Sequence, residues 1–443
     1  MERRVANSLE ELIKICRNDL FTNEKHSKQI LPASNLLLYR INSVDIHFHF
    51  CVLRFFNFIN ENSDLKETED YLSFENCYFY KATDIIDIEN VKLKIEFYNC
   101  HFLSKNLKIA SISCNVKLLY CVINHLYCGN TDIGNEENNK GGKLKLYTCE
   151  IYEVNFRGTT FHNLINFFQS TFHKPVTFHK TKFFGIVVFS AVTFKENVLF
   201  SYTVVKDLML LRGAFAEKGF DISLAIIKGS LSLFKLRINN FKTYTSIYKD
   251  VNAIYKKDSY TYSFTRAYEQ VYENAVSKNH LIPIENKRET YRILKYHLES
   301  QKNFIAAVHY KRLESKTLLL ESWLKFKHGN FLDSIANLGI LSLNAISNWF
   351  GSSYIQGVLF TVLIGGLFFS LSLFHVESSE FITYYDKWQW EYFVQFLNPT
   401  HRFDYIKAID ENPQTWFFIW DFIGRIFVGY GIYQTIQAFR KYK

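Results

Sequence analysis

The 443-residue chain predicts a β-solenoid, then an α-helical connector, then a two-helix transmembrane domain. Three observations lead there. From Ile165 to Ile238 an apolar-x-apolar triplet recurs every eleven residues: Ile165-Asn-Phe167, Val176-Thr-Phe178, Val187-Val-Phe189, Val198-Leu-Phe200, Met209-Leu-Leu211, Phe220-Asp-Ile222 and Leu231-Ser-Leu233. Beyond it, Thr290, Ile293, Leu294, His297 and Leu298 keep helical spacing. Later still, Tyr354–Phe374 holds no charge over 21 residues, about the length that spans a ~30 Å hydrocarbon core.

The repeat decides the first module. Five residues after each triplet comes another apolar residue (Phe172, Phe183, Phe194, Val205, Ala216, Ile227, Ile238). Two before that stands a small or β-branched one: Ser170, Thr181, Val192, Thr203, Ala214 or Ala225, with Leu236 breaking the series. Apolar residues at i and i+2 lie on opposed faces of a helix, and the Phe, Val and Thr content with Pro175 and Gly185 favours strands. A leucine-rich repeat needs a longer unit containing a helix, whereas three residues separate these motifs. The expectation is short strands, two motifs per coil, with apolar side chains stacked inward and small residues at the corners.

These residues resemble the pentapeptide-repeat family. The steps of five and six between Phe156, Phe161, Phe167, Phe172, Phe178, Phe183, Phe189, Phe194 and Phe200 match its one inward apolar residue every five positions. The resemblance implies a right-handed quadrilateral, pentapeptide-repeat-like β-helix. Phe largely replaces the family's Leu, and its Ala-Asp/Asn-Leu core is absent, so the likeness bears on coil geometry.

In chain order, 1–34 is expected to cap the open end of the solenoid, with Ser8 as N-cap and Glu11 closing a capping box. The β-helix itself is placed at 35–245. Its early motifs are Ile46-x-Phe48-x-x-Cys51-x-Leu53, Leu72-x-Phe74-x-x-Cys77-x-Phe79, Ile95-x-Phe97-x-x-Cys100-x-Phe102, Val116-x-Leu118-x-x-Cys121-x-Ile123 and Leu144-x-Leu146-x-x-Cys149-x-Ile151. Alternate half-coils start at Ile86, Leu107 and Leu126, and the polar stretches Asn60–Asp70 and Gly134–Gly142 read as loops. Five of eight cysteines thus share one inward position. One thiol per coil at the ~4.8 Å strand spacing cannot supply the four converging ligands of a zinc tetrahedron. They read as small buried plugs in a reducing compartment, and the metal expectation is none.

Chemistry-bearing motifs are wanting. The chain has no P-loop, no Gly-x-Ser-x-Gly elbow, no His-Glu-x-x-His and no paired-carboxylate site in the solenoid. His47, His49, His162, His173 and His179 read as outer-face residues. No catalytic residue, cofactor or enzyme activity is expected. Between residues 151 and 240, eleven Lys/Arg outnumber five Asp/Glu, the wrong sign for a nucleic-acid mimic. The net charge of +9 names no specific nucleic-acid partner.

The connector (246–331) contains an αα-hairpin turning at Ser300-Gln-Lys-Asn303, with Glu314 paired to Lys311 on its surface. Then an interfacial helix, Leu332–Trp349, leads into the first span (332–375 together). The loop 376–414 is extracytoplasmic or re-entrant, its apolar stretch Trp388–Ile406 including Asn398 and Pro399. The second span and basic tail occupy 415–443, with Trp416 and Trp420 as an interfacial belt. Lys316, Lys325, Lys327, Arg440, Lys441 and Lys443 put both termini and the solenoid in the cytoplasm.

This layout, with the Arg292–Lys295 run and the ending Ala438-Phe-Arg-Lys, resembles membrane-anchored bacterial pentapeptide-repeat proteins. The resemblance implies an inner-membrane protein with two spans. Within the second span Asp421 and Arg425 stand at i, i+4, a costly placement that suggests a role, each being the other's partner. Val428-Gly429-Tyr430-Gly431 has the look of a potassium-channel filter, but only twelve residues follow it, so Gly429 and Gly431 are read as close-packing points between helices. The expected partners are the lipid bilayer, further copies of the chain in a homo-oligomer, and a cytoplasmic protein on the solenoid. The expected function is non-enzymatic: the β-helix recognises a partner or drives oligomerisation, and the hairpin acts on the membrane as an ion-conducting or permeability effector. The alternative is a passive membrane-anchored protein-binding scaffold.

Overall fold

Repetition at twenty-two residues builds the first module. The computed structural model describes residues 3–22, 36–61, 69–86, 94–134, 142–239, 243–257, 263–328, 331–375, 390–400 and 414–440. It divides into two units, Met1–Thr290 and Tyr291–Lys443. In the first, Ile165 pairs in parallel with Val187, Val187 with Met209 and Met209 with Leu231. Val176 pairs with Val198, and Val198 with Phe220, on another side. Four all-parallel ladders of 13, 9, 5 and 3 strands result. The chain is a β-helix-like solenoid with four-sided coils from about Thr160 onward.

Phenylalanine fills the axis. Phe156, Phe178 and Phe200 stack at 5.2 and 4.8 Å, and Phe167 stacks on Phe189 at 5.3 Å. These separations follow the strand spacing, so each ring covers the next. All are at most 1 % exposed, and each such burial contributes roughly 2–3 kcal/mol.

The small position has a definite task. It follows a residue with left-handed backbone (Asn76, Asn99, Tyr120, Thr148, Gln169, Lys180, Tyr202) that turns the corner. Where it is Cys, Ser or Thr, its side chain then donates to the carbonyl of the apolar residue one coil earlier. Cys100 Sγ reaches Phe74 O at 3.3 Å, Cys121 Sγ reaches Phe97 O at 3.4 Å, Ser170 Oγ reaches Leu146 O at 3.0 Å and Thr181 Oγ1 reaches Phe156 O at 2.7 Å. Cys, Ser and Thr are interchangeable here because each is a compact donor.

Two early expectations are corrected. Cys51 does not stand on this ladder: Ile46 pairs with Phe79, so the first unit is Tyr39-x-Ile41-x-x-Val44-x-Ile46, with Val44 at the small position and Ser43 at the left-handed corner. The His47-Phe48-His49 alternation imitated a strand seven residues too late. Cys51 instead ends a short strand beside Asp84, and the chain turns at once into helix α2, Val52–Glu61, where a further coil and loop were expected. The remaining loop expectations at 62–68 and 135–141, and most of the half-coil from Ile86, lie outside the described residues.

At the N-terminus, helix α1 is Leu9–Thr22. Ser8 Oγ accepts from Glu11 N at 3.2 Å, while Glu11 Oε2 accepts from Asn7 N at 2.7 Å, one residue earlier than a strict capping box. A strand the pattern did not reveal, Arg4–Ala6, precedes it and pairs with Val44–Ile46.

Helices close the first unit: α3, Ile247–Lys257; α4, Phe264–Glu273, running into a π-turn at Asn274–Lys278; and the start of α5, Ile284–Ser300. Asp221 fixes α5 to the last coils. Asn286 Nδ2 donates to Asp221 Oδ2 at 2.9 Å, and Thr290 Oγ1 accepts from Ile222 N at 3.1 Å.

In the second unit the rest of α5 pairs with α6, Phe304–Lys327, through a turn in which Asn303 caps α6 by accepting from Ala306 N at 3.3 Å. Glu314 is corrected in its partner: it binds Lys295 across the hairpin at 2.8 Å, not Lys311 on its own helix. There follow α7, Phe331–Asn348; α8, Tyr354–Leu373; α9, Trp390–Phe396; and α10, Thr415–Phe439.

Among the described residues, one helix, α8, is long and apolar enough to cross a membrane. The expectation of two spans is therefore met by one on that criterion. At 25 residues α10 has the length, but Asp421, Arg425, Gln434 and Gln437 lower its apolar content.

Candidate functional site

Helices α8 and α10 run antiparallel. Tyr354 stacks on Phe439 at one end and Phe368 on Phe427 further along. The buried face of α10 is Phe417, Asp421, Gly424, Val428, Gly431, Gln434 and Ala438, in steps of three and four. A Cβ on Gly431 would stand 2.3 Å from Thr361 Oγ1, and one on Gly357 would stand 3.1 Å from Thr435 Cα. Glycine lets the two backbones approach.

The Gly-Tyr-Gly triplet is thus helical and sends each residue to a different neighbour. Gly431 meets Thr361. Tyr430 Oη donates to Asn344 Oδ1 on α7 at 2.7 Å. Gly429 faces away from α8, toward Pro399, whose Cβ would lie 3.8 Å from a Cβ on the glycine. A filter needs extended backbone carbonyls, which α-helix withholds.

Segment 390–400 packs along this pair. Phe393 and Phe396 lie 5.7 and 5.4 Å from the Phe369 ring. Phe396 fills the notch at Gly424 and Leu397 the one at Gly365. Gly429 is fourteen residues past Thr415, so Pro399 sits roughly 21 Å along α10 at 1.5 Å per residue. At this tip Asn398 Oδ1 accepts from Thr400 N at 3.1 Å and Thr400 Oγ1 at 2.8 Å. One face of the segment is buried. The other (Val394, Gln395, Asn398, Thr400) is exposed and mostly polar.

Asp421 is fully buried, and its Oδ2 accepts from Arg425 Nε at 2.7 Å. The two candidate charges are together. Asn398 and Pro399 meet the helix pair at Gly429, farther along α10.

A polar network that sequence reasoning missed joins α7 to α10. Asn344 Oδ1 also accepts from Gln434 Nε2 at 3.0 Å, Asn348 Nδ2 donates to Gln434 O at 3.0 Å, and Asn348 Oδ1 accepts from Gly351 N at 2.7 Å. The three-four spacing of α10 places Gln434 on its buried face, which was the available signal.

No protein-family model, curated protein or solved structure matches the chain.

Among the described residues no three of His, Cys, Asp and Glu converge. Burial holds the Cys100 and Cys149 thiols well above their ordinary range, which keeps them protonated. Outer-face histidines meet carboxylates: His49 Nε2 lies 2.8 Å from Asp84 and His173 Nε2 2.5 Å from Glu150. Adjacent coils bring them opposite one another, a proximity that sequence spacing conceals.

Proposed function

We propose that the chain is a non-enzymatic membrane protein in which α8 and α10 both span the bilayer, segment 390–400 re-enters it between them, and several copies enclose a pore. One observation carries this reading. Gln395, Asn398 and Thr400 are exposed beside the middle of a helix pair whose exposed residues in that stretch are apolar: Val358, Leu359, Val362 and Leu363 on α8, Phe422 and Ile426 on α10. Apolar residues facing outward suit lipid, whereas polar side chains turned toward hydrocarbon are costly. A shared aqueous path removes that cost.

The β-helix, on this account, lies in the cytoplasm of a bacterial cell, receives a partner and holds the oligomer together. Its right hand follows the preference of parallel crossovers. The anchored-scaffold alternative is favoured by the close glycine packing of α8 on α10, which leaves no lumen within one chain. The mass of the detergent-solubilised protein, with detergent subtracted, separates the two. A closed ring of about four or more chains supports the pore, and a monomer hands the lead to the scaffold.

A further inference from the structure

The first unit contains a cavity of about 430 Å³ between the solenoid wall and the π-turn, within the size range of small-molecule sites. Arg157, Lys174, His125, His179 and His280 line it, against the single carboxylate of Glu153. Neither Arg157 nor Lys174 has a carboxylate partner among the described residues.

Three features mark this as more than a cleft. Ser201 lines it, is 3 % exposed, and its Oγ is buried with no hydrogen-bond partner among the described residues. An orphaned buried hydroxyl is destabilising, and a ligand acceptor would satisfy it. His280 holds left-handed backbone (φ 50°), an uncommon state for a residue other than glycine. Its ring is fixed by Thr177 Oγ1, 3.0 Å from Nδ1, and its carbonyl by Asn197 Nδ2 at 2.8 Å, which leaves Nε2 for a ligand. The adjoining π-turn, a form common at functional sites, supplies Val276 as an apolar wall. Burial, then the charges of Arg157 and Lys180, hold His179 below the usual imidazole range.

We propose that this cavity binds a phosphorylated small molecule, with Arg157 and Lys174 meeting the phosphoryl oxygens and Ser201 and His280 donating hydrogen bonds. Guanidinium and ammonium groups in a partly enclosed pocket with neutral donors favour a phosphoryl group over a protein surface. Binding stands whether or not the hairpin conducts.

The test is calorimetric titration of the full-length protein in detergent with inorganic pyrophosphate and, separately, a nucleoside diphosphate. Saturable binding at one site per chain is expected, weakened about tenfold or more by Arg157→Gln or Lys174→Gln. Both residues are exposed, so these variants fold. Lys228→Gln, away from the cavity, should bind as the native chain does. Tighter binding of the nucleotide would assign the ligand to that class, and equal binding would assign recognition to the phosphates alone. Absence of saturable heat with both probes, or equal weakening by Lys228→Gln, would overturn the proposal.

Discussion

Pro399 lies against Gly429: a Cβ on the glycine would stand 3.8 Å from that of the proline, an ordinary contact. Two residues on, a Cβ at Gly431 would stand 2.3 Å from Thr361 Oγ1 and 3.2 Å from Thr361 Cα. The two glycines of one triplet therefore differ in tolerance. Gly431→Val should destabilise the hairpin by roughly 1–3 kcal/mol through overpacking, while Gly429→Ala should leave thermal unfolding in detergent nearly unchanged. Equal losses at both positions would contradict the geometry.

The Asp421–Arg425 pair gives a coupled prediction. Arg425→Leu leaves a fully buried carboxylate without its guanidinium, a change that costs roughly 3–5 kcal/mol. Asp421→Leu with Arg425→Leu removes both charges and should recover much of that loss, since such pairs are often replaceable by apolar residues. Chemical unfolding of the two variants checks it. A double variant no more stable than Arg425→Leu alone would show that the two side chains do not act as a pair.

Thiol reactivity tests the corner ladder. Cys77, Cys100, Cys114, Cys121, Cys128 and Cys149 are buried, and only Cys16 and Cys51 are partly exposed. Brief alkylation of the native protein, read by mass spectrometry, should modify those two alone. Denatured protein should take up reagent at all eight cysteines. Rapid native modification of Cys100 or Cys121 would refute the stacked position.

Acid should weaken the fold before carboxylates titrate. Burial lowers the affinity of His101, His179, His280, His297 and His309 for protons. The unfolded chain then binds more protons than the folded one below the ordinary histidine value of 6.5. The stability these neutral rings contribute is present above that value and is lost as pH falls toward their folded values. Melting temperature should decline from pH 7 toward 5.5, and less steeply in His280→Gln. A flat profile over that window would remove this contribution.

Much of the solenoid was legible because its signal is periodic. Phe167, Phe178 and Phe189 state their role by spacing, and Cys100 and Ser170 reveal theirs by recurring at one position. The start was misread because Tyr39 opens the first coil where the next units have Leu72, Ile95, Val116 and Leu144, and His47-Phe48-His49 offered a better-looking alternation. Contacts among distant residues left no trace in spacing: Asn344 with Gln434, Glu314 with Lys295, and the cavity built from Arg157, Ser201 and His280. The same holds for the apolar helices α8 and α10. Their apolar character could be read directly, but the placement of Pro399 beside Gly429 depends on the glycine notches at 365 and 424, which acquire meaning only when the helices pair.

Ion flux through the protein in liposomes tests the central claim most directly, using Asn398→Cys and a membrane-impermeant, positively charged thiol reagent. The account predicts ion flux in the native protein, unaffected by the reagent, and flux in Asn398→Cys that the reagent blocks because residue 398 lines the aqueous path. Absence of flux from the native oligomer, or flux through Asn398→Cys that the reagent leaves unchanged, would contradict it.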